Sequence, residues 1–418
     1  MEQEIAVRVL VIGSGGREHA LCWSFARNNH RVWCAPGNPG TAQVATNVPL
    51  AASDTRALAN FARGYDIALV VPGGEVSLCA GITDAMNNYS IPCFGPTRQA
   101  AQLEASKAYT KFLCSGANIP TATWQAFHDV QLAETYIKTV GGPLYIKANG
   151  LARGKGAVFA ETEKDAIEIV HDMMQRHSLG NAGSVVVIEE LLVGEELSFF
   201  ALCNGVEAVP FGAARDYKRL TPALSAPNTG GMGAYTLPMA DIQDEVMERI
   251  ILPTLHLMMR RGQPYTGVLY AGLMLTQDGP KLIEYNVRFG DPEWQALALC
   301  YDDDLFETFV GALAGRLPQP LAVRSGVSVV IAAPGYPEAP QAGSEIKAIE
   351  VPEDVLVFHA GTERTPGGRL IASGGRVLNV CAAGTDCAEA RSKVYGAMAG
   401  IDWPDGYHRS DIAEGICI

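Results

Sequence analysis

No apolar run in this 418-residue chain approaches the ~20 residues that a helix needs to cross a bilayer, and stretches such as 69–72 and 185–188 fall far short. A helical membrane protein is excluded on that count. The opening Met1-Glu2-Gln3-Glu4 is acidic and lacks the basic region and cleavage site of a secretory leader, so a cytoplasmic location is expected. Basic charge is scarce. Lysine and arginine total 32 against 45 acids, a net charge of −13 with no basic run, which speaks against broad contact with nucleic acid or an anionic membrane. Any phosphate site must then be local. Ten cysteines are scattered from Cys22 to Cys417 without a Cys-x-x-Cys pair, and the closest two, Cys381 and Cys387, have no histidine nearby, so neither a zinc site nor a disulfide framework is indicated. Internal repeats, low-complexity tracts and a Ser-His or Cys-His arrangement for nucleophilic catalysis are missing as well.

What is present is an alternation of apolar strands and helical stretches. Residues 8–12, 31–35, 67–71 and 91–94 read as strands, separated by helix-period segments at 18–27, 55–63 and 77–87; this predicts a doubly wound parallel sheet over residues 1–120. Residues 121–192 predict a small α+β lid, with strands at 144–148, 156–160 and 184–189 and a helix at 163–175. From 193 to 322 come strands at 197–203, 267–276 and 281–286 and helices at 242–261 and 305–313. A proline-rich linker at 318–320 precedes a small C-terminal α+β unit, 323–418, with strands at 326–332, 355–359 and 377–382 and a helix at 388–398. The expectation is a mixed α/β and α+β multidomain protein.

Four motifs carry chemistry. Gly13-Ser14-Gly15-Gly16-Arg17-Glu18-His19 joins a strand to a helix, where amides can cradle an anion. A dinucleotide is disfavoured, since Glu18 stands where the third glycine of the fingerprint belongs and no acid follows the second strand, which ends Cys34-Ala35-Pro36-Gly37-Asn38. A smaller phosphate, or a turn with no ligand, remains. The loop 147–156 carries Lys147, Asn149, Arg153 and Lys155 between two predicted strands; a flexible hairpin of this kind can fold over a triphosphate, although strand-end lysines are often only solvated. Ile188-Glu189-Glu190-Leu191-Leu192-Val193-Gly194-Glu195-Glu196 reads as a hinge able to hold adenine by its backbone and ribose by a carboxylate. Glu284 and Asn286, two apart on a strand, project to one face and suit a hard divalent cation shared with nucleotide phosphates. Arg288, next on that face, can neutralise a transferring phosphoryl group.

In this order the motifs, together with Pro36 to Thr41, Leu103-Glu104-Ala105-Ser106-Lys107, Pro227-Asn228-Thr229-Gly230-Gly231-Met232-Gly233 and Asn286-Val287-Arg288-Phe289-Gly290-Asp291-Pro292-Glu293, resemble the ATP-grasp superfamily and, within it, the phosphoribosylamine–glycine ligase family. The resemblance runs nearly end to end. It implies an ATP-grasp lid and core and ATP-driven ligation of glycine to phosphoribosylamine through glycyl phosphate; a formate- or bicarbonate-activating ligase of the same superfamily is the alternative, with an NAD-dependent oxidoreductase and a catalytically silent scaffold as rivals of other classes. It implies ATP contacts at Lys107, Lys147, Lys155, Glu189, Leu192 and Glu196, and magnesium or manganese at Glu284 and Asn286. Gly13, Gly15, Gly16, Arg17, Glu18, Gly37, Asn38 and Thr41 would face the amine. Asp216, Lys218, Asn228, Thr229, Gly230, Gly231, Arg288 and Asp291 would surround glycine and its acyl phosphate, with Lys147, Arg288 and Asp291 catalytic. The implied partners are these small molecules alone, with no nucleic acid or membrane, on a monomer or weak dimer. The chain departs from the family pattern at Gly74, Asn149, Tyr217 and Ala226, where Pro, Asp, His and Gly are usual.

Overall fold

The computed structural model describes residues 6–152, 155–223, 226–318 and 324–416. Arg153 and Gly154 of the glycine-rich hairpin and most of the proline-rich linker lie outside the described residues.

The N-terminal region is a four-stranded parallel sheet in the order Thr46–Asn47, Arg31–Pro36, Arg8–Gly13, Leu69–Pro72. Val9 to Ile12 are fully buried, with Leu10 and Ile12 packed into one core and Val9 and Val11 into the other. A parallel strand covered on both faces is apolar throughout for that reason. Two expectations fail here. Residues 91–94 do not form a full strand, because Pro92 lacks a donor and only Cys93 bridges to Val70. The single helix expected at 77–87 is two, Glu75–Ala80 and Ile82–Asn87, broken at Gly81 with φ of +90°.

The lid is a separate antiparallel sheet in the order Trp124–Phe127, Val186–Glu190, Leu144–Ala148, Ala157–Ala160. Its strands alternate. Leu144, Ile146, Ala148, Val186 and Ile188 pack with the helices Val130–Val140 and Glu163–Met174 in a core of their own, leaving Tyr145, Lys147, Val187 and Glu189 for the opposite face. The first strand and first helix of this unit were not expected from the sequence.

The largest sheet has eight antiparallel strands: Gly279–Asn286, Thr266–Thr276, Glu195–Asn204, Ala208–Asp216, Gly233–Thr236, Ser325–Ala332, Arg376–Gly384 and Val355–His359. It runs unbroken from the core region into the C-terminal residues. The helix expected at 242–261 is present but interrupted by a π-turn at Met247–Ile251. Among the described residues no helix is long and apolar enough to cross a membrane.

Candidate active site

A β-bulge sets the site's central strand. Tyr270, Ala271 and Gly272 pair with Asn286, Tyr285 and Glu284, but Leu273 pairs with Leu282, so Ile283 is the extra residue. The alternation therefore slips by one. Leu282 and Tyr285 both enter the core, while Ile283, Glu284 and Asn286 line the cleft between lid and core sheet.

The cleft comprises two cavities of about 180 and 220 Å³ that share a wall formed by Glu189, Ile283, Glu284, Asn286 and Arg288. The first is closed by Glu104, Lys107, Lys111, Leu151 and Ala152. The second brings together Lys147, Leu192, Glu196, Asp216, Lys218, Asn228, Thr229, Gly230 and Asp291, residues drawn from five separated stretches of chain. Asn149, on the covering hairpin, ties that hairpin to the helix Lys107–Ala117: its side-chain oxygen accepts from Ser106 Oγ and Ala108 N at 2.9 Å each. Lys155 is exposed and lines neither cavity.

Charge is dense in this cleft. The Glu189 carboxylate receives both Lys147 Nζ and Lys111 Nζ at 2.9 Å. Burial works against ionisation of Glu189, but the two lysines outweigh it and hold the carboxyl below its ordinary range. The Glu284 carboxylate makes no hydrogen bond among the described residues; burial opposes its charge, yet Lys107, Lys147, Lys218 and Arg288 hold it below its ordinary range. Arg288 donates to Glu104 Oε1 at 3.1 Å, to Glu75 Oε2 at 3.3 Å and to Asn286 Oδ1 at 2.9 Å. Asp216 behaves oppositely, since burial and the neighbouring Glu293 push its carboxyl up, and its Oδ1 is buried without a partner. A buried acid with an unfilled oxygen is a place for a substrate cation.

A third, open cavity of about 400 Å³ is formed by Ser14, Gly15, Gly37 and Asn38 from the N-terminal region, Ala360 to Thr362, Ser373 and Arg376 from the C-terminal residues, and Asp291. Asp291 also lines the second cavity, so the two meet at this residue. Burial would raise that carboxyl, but Arg376 and Arg17 pull it below its usual range, and Gln295 Nε2 donates to it at 2.8 Å.

The other loop residues stand behind this wall. Glu18 Oε2 accepts from the Gly15 amide at 2.6 Å and its Oε1 from Arg17 Nε at 2.7 Å, so the carboxylate itself caps the helix Gly16–Ala26. A side chain at Gly13 would run into Glu18, and one at Gly16 into Asn379 and Gln295. Thr41 is fully buried and bonded to Asn38 and Asn47, and Gly231, φ +109°, supports Asp216 and Pro292 from outside the cleft lining. Glu75, Glu104, Lys111, Tyr270, Glu293 and Arg376 were not anticipated. Lys111 alone carried a usable sequence cue, lying one helical turn after Lys107.

Models of the three phosphoribosylglycinamide synthetase domains match the chain end to end: the N domain over residues 7–104, the ATP-grasp (A) domain over 105–294 and the C domain over 326–415. The chain belongs to the phosphoribosylglycinamide synthetase family. It is 46% identical over 415 residues to the phosphoribosylamine–glycine ligase of Caulobacter vibrioides, covering 97% of each chain, and 44% identical to that of Escherichia coli O157:H7, covering 97% of this chain and 98% of the other. The crystal structure of phosphoribosylamine–glycine ligase from Thermotoga maritima superposes with a TM-score of 0.86 at 34% identity, over 97% of this chain and all of that one. A biotin carboxylase domain from Hydrogenobacter thermophilus shares the fold at 14% identity and a TM-score of 0.74, over 97% of this chain and 92% of that one. Members of the family use ATP and a divalent metal. Among the described residues no cluster of three or more His, Cys, Asp or Glu could hold an ion alone. Glu284 with the Asn286 carbonyl nevertheless fits a metal whose remaining ligands are phosphates and water.

Proposed function

We infer that the protein joins glycine to phosphoribosylamine at the expense of ATP, giving glycinamide ribonucleotide, ADP and phosphate, the second step of purine biosynthesis. The observation that carries this reading is the succession of three cavities with shared walls, at Glu284 and Asn286 for the first two and at Asp291 for the second and third. ATP occupies the lid side, its adenine at the 189–192 hinge and its phosphates near Lys107 and Lys147. Glycine sits in the second cavity with its ammonium on Asp216. Its carboxylate oxygen attacks the γ-phosphorus in line, the bond to ADP breaks, and glycyl phosphate forms. The nitrogen of phosphoribosylamine then enters from the third cavity past Asp291, attacks the carbonyl carbon and expels phosphate. No enzyme nucleophile takes part.

Glu284 and Asn286 would hold magnesium, which supplies charge neutralisation to the phosphates when bound. The same reading places the enzyme in the cytoplasm, acting as a monomer or weak dimer on small molecules only. The test is ADP release with phosphoribosylamine generated in place and glycine, formate or bicarbonate offered in turn. Only glycine should support turnover. Glu284→Gln should slow it by about 10²–10³, the scale of losing one charge-stabilising group at a transition state, and should shift the magnesium titration; an unchanged metal dependence would refute the assignment.

A further inference from the structure

Glu189 lies at the centre of the cleft with two cations on one oxygen. Its Oε2 takes Lys147 Nζ and Lys111 Nζ at equal distances of 2.9 Å, while Oε1 is buried and unpartnered. All three side chains are at most 5% exposed. One negative and two positive charges leave the cluster with a surplus cation. The two lysines are not equivalent in their other contacts. Among the described residues Lys147, from the lid strand Leu144–Ala148, has besides Glu189 a hydrogen-bond contact only with Ile283 O, at a long 3.4 Å. Lys111, from the helix Lys107–Ala117, also donates to Thr121 Oγ1 at 2.6 Å, and that hydroxyl donates to Leu282 O at 2.6 Å, next to the bulge that aims Glu284. Lys111 is anchored on two sides, and Lys147 is the cation free to leave.

Leaving matters because Lys147 is the residue expected on a nucleotide phosphate. Were it the sole counter-ion of Glu189, its transfer would strand a buried carboxylate, which is strongly unfavourable. We propose that Lys111 is a positioning residue that stays paired with Glu189 when Lys147 is drawn onto the triphosphate, so that nucleotide binding leaves no uncompensated charge behind. This rests on the ATP-binding reading of the cleft. It requires no contact between Lys111 and the nucleotide.

Calorimetric affinity for a non-hydrolysable ATP analogue tests the proposal without turnover, so it can fail or succeed independently of the glycine assignment. Lys111→Met should weaken analogue binding by about tenfold or more and raise the KM for ATP in parallel, with the KM values for glycine and phosphoribosylamine within about twofold of wild type. In Lys111→Met/Glu189→Gln no charge is left stranded, so analogue affinity should equal that of Glu189→Gln alone. If Lys111→Met is insoluble, Thr121→Val, which removes one anchor of Lys111, should give the same selective loss on a smaller scale. Equal damage to all three substrates, unchanged affinity for the analogue, or additive losses in the double variant would overturn the proposal.

Discussion

Replacing Arg288 by methionine removes the one cation shared by Glu104 and Glu75. In the folded protein the guanidinium reaches Glu104 at 3.1 Å and Glu75 at 3.3 Å, and Glu104 is also tied to the Val287 amide at 2.8 Å. Without Arg288 both carboxylates remain in place but unpaired, a situation that costs about 3–5 kcal/mol when a buried pair is broken from one side. Thermal unfolding should show this as a loss of about 3–6 °C at pH 7.5 for a chain of this length. The deficit must depend on pH in a definite direction. Burial already raises the Glu104 carboxyl, and Arg288 is the chief influence holding it down; without the arginine its folded pKa climbs further above the unfolded value. Such a group stabilises fully below the unfolded pKa and loses that contribution as pH rises. The gap between variant and wild type, each measured at the same pH, should therefore narrow at pH 5.5, and Arg288→Met/Glu104→Gln should regain part of it at pH 7.5. A gap that is constant with pH, or smaller than about 1 kcal/mol at pH 7.5, would refute the stranded-charge argument.

Two further outcomes follow from the third cavity and its surroundings. Gly15→Val, whose Cβ would come 2.8 Å from Glu18 Oε2 and 3.5 Å from Asp291 Oδ2, should raise the apparent KM for phosphoribosylamine about tenfold or more and spare that for ATP; equal effects on both would contradict the placement of the amine. His19 accepts from the His359 amide at 2.8 Å and is held neutral by burial, then by His359, its pKa lowered to about 3, while burial, then Arg364, lowers His359 to about 4. Both fold best above the unfolded value of ~6.5, so stability should fall as pH drops from there towards 4, by about 2 kcal/mol from His19 alone between pH 7 and 5. His19→Asn, which keeps the acceptor but cannot titrate, should flatten that slope in melting temperatures measured across the range; an unaltered slope would exclude His19 as its source.

The periodic parts of the fold were legible because local pattern decides them. Val9 to Ile12, buried on two faces, could only be a central strand, and the glycine loop that follows could only turn into a helix. The paired projection of Glu284 and Asn286 was also legible, but for an incomplete reason. Strict alternation would put Leu282 on their face, and the bulge at Ile283 that sends Leu282 to the core depends on pairing with a strand ten residues earlier. Arg376 had no cue at all, since its partners Gly230 and Asp291 are 146 and 85 residues away. The role of Glu18 was hidden for a different reason. A carboxylate in a glycine-rich loop looks like a missing glycine, whereas its side chain folds back to cap the helix and fills the space under Gly13 and Gly73. Lys155, just before the strand Ala157–Ala160, is exposed and lines neither cavity, and a residue outside the strand register takes its direction from neighbours that local pattern does not reveal.

The unbroken eight-stranded sheet has a consequence for anyone who would take the protein apart. The strand Gly233–Thr236 is paired on its outer side only by Ser325–Ala332, so a chain ended before residue 325 would expose the ladder edge of Gly233–Thr236 and invite association through it. The lid, by contrast, closes its own sheet over its own core and meets the remainder through separate side-chain contacts, such as those of Asn149 with Ser106 and of Glu189 with Lys111. Exchanging residues 124–190 between relatives is therefore a graft of a whole unit, whereas exchanging the C-terminal residues means re-registering a sheet that also carries Glu284.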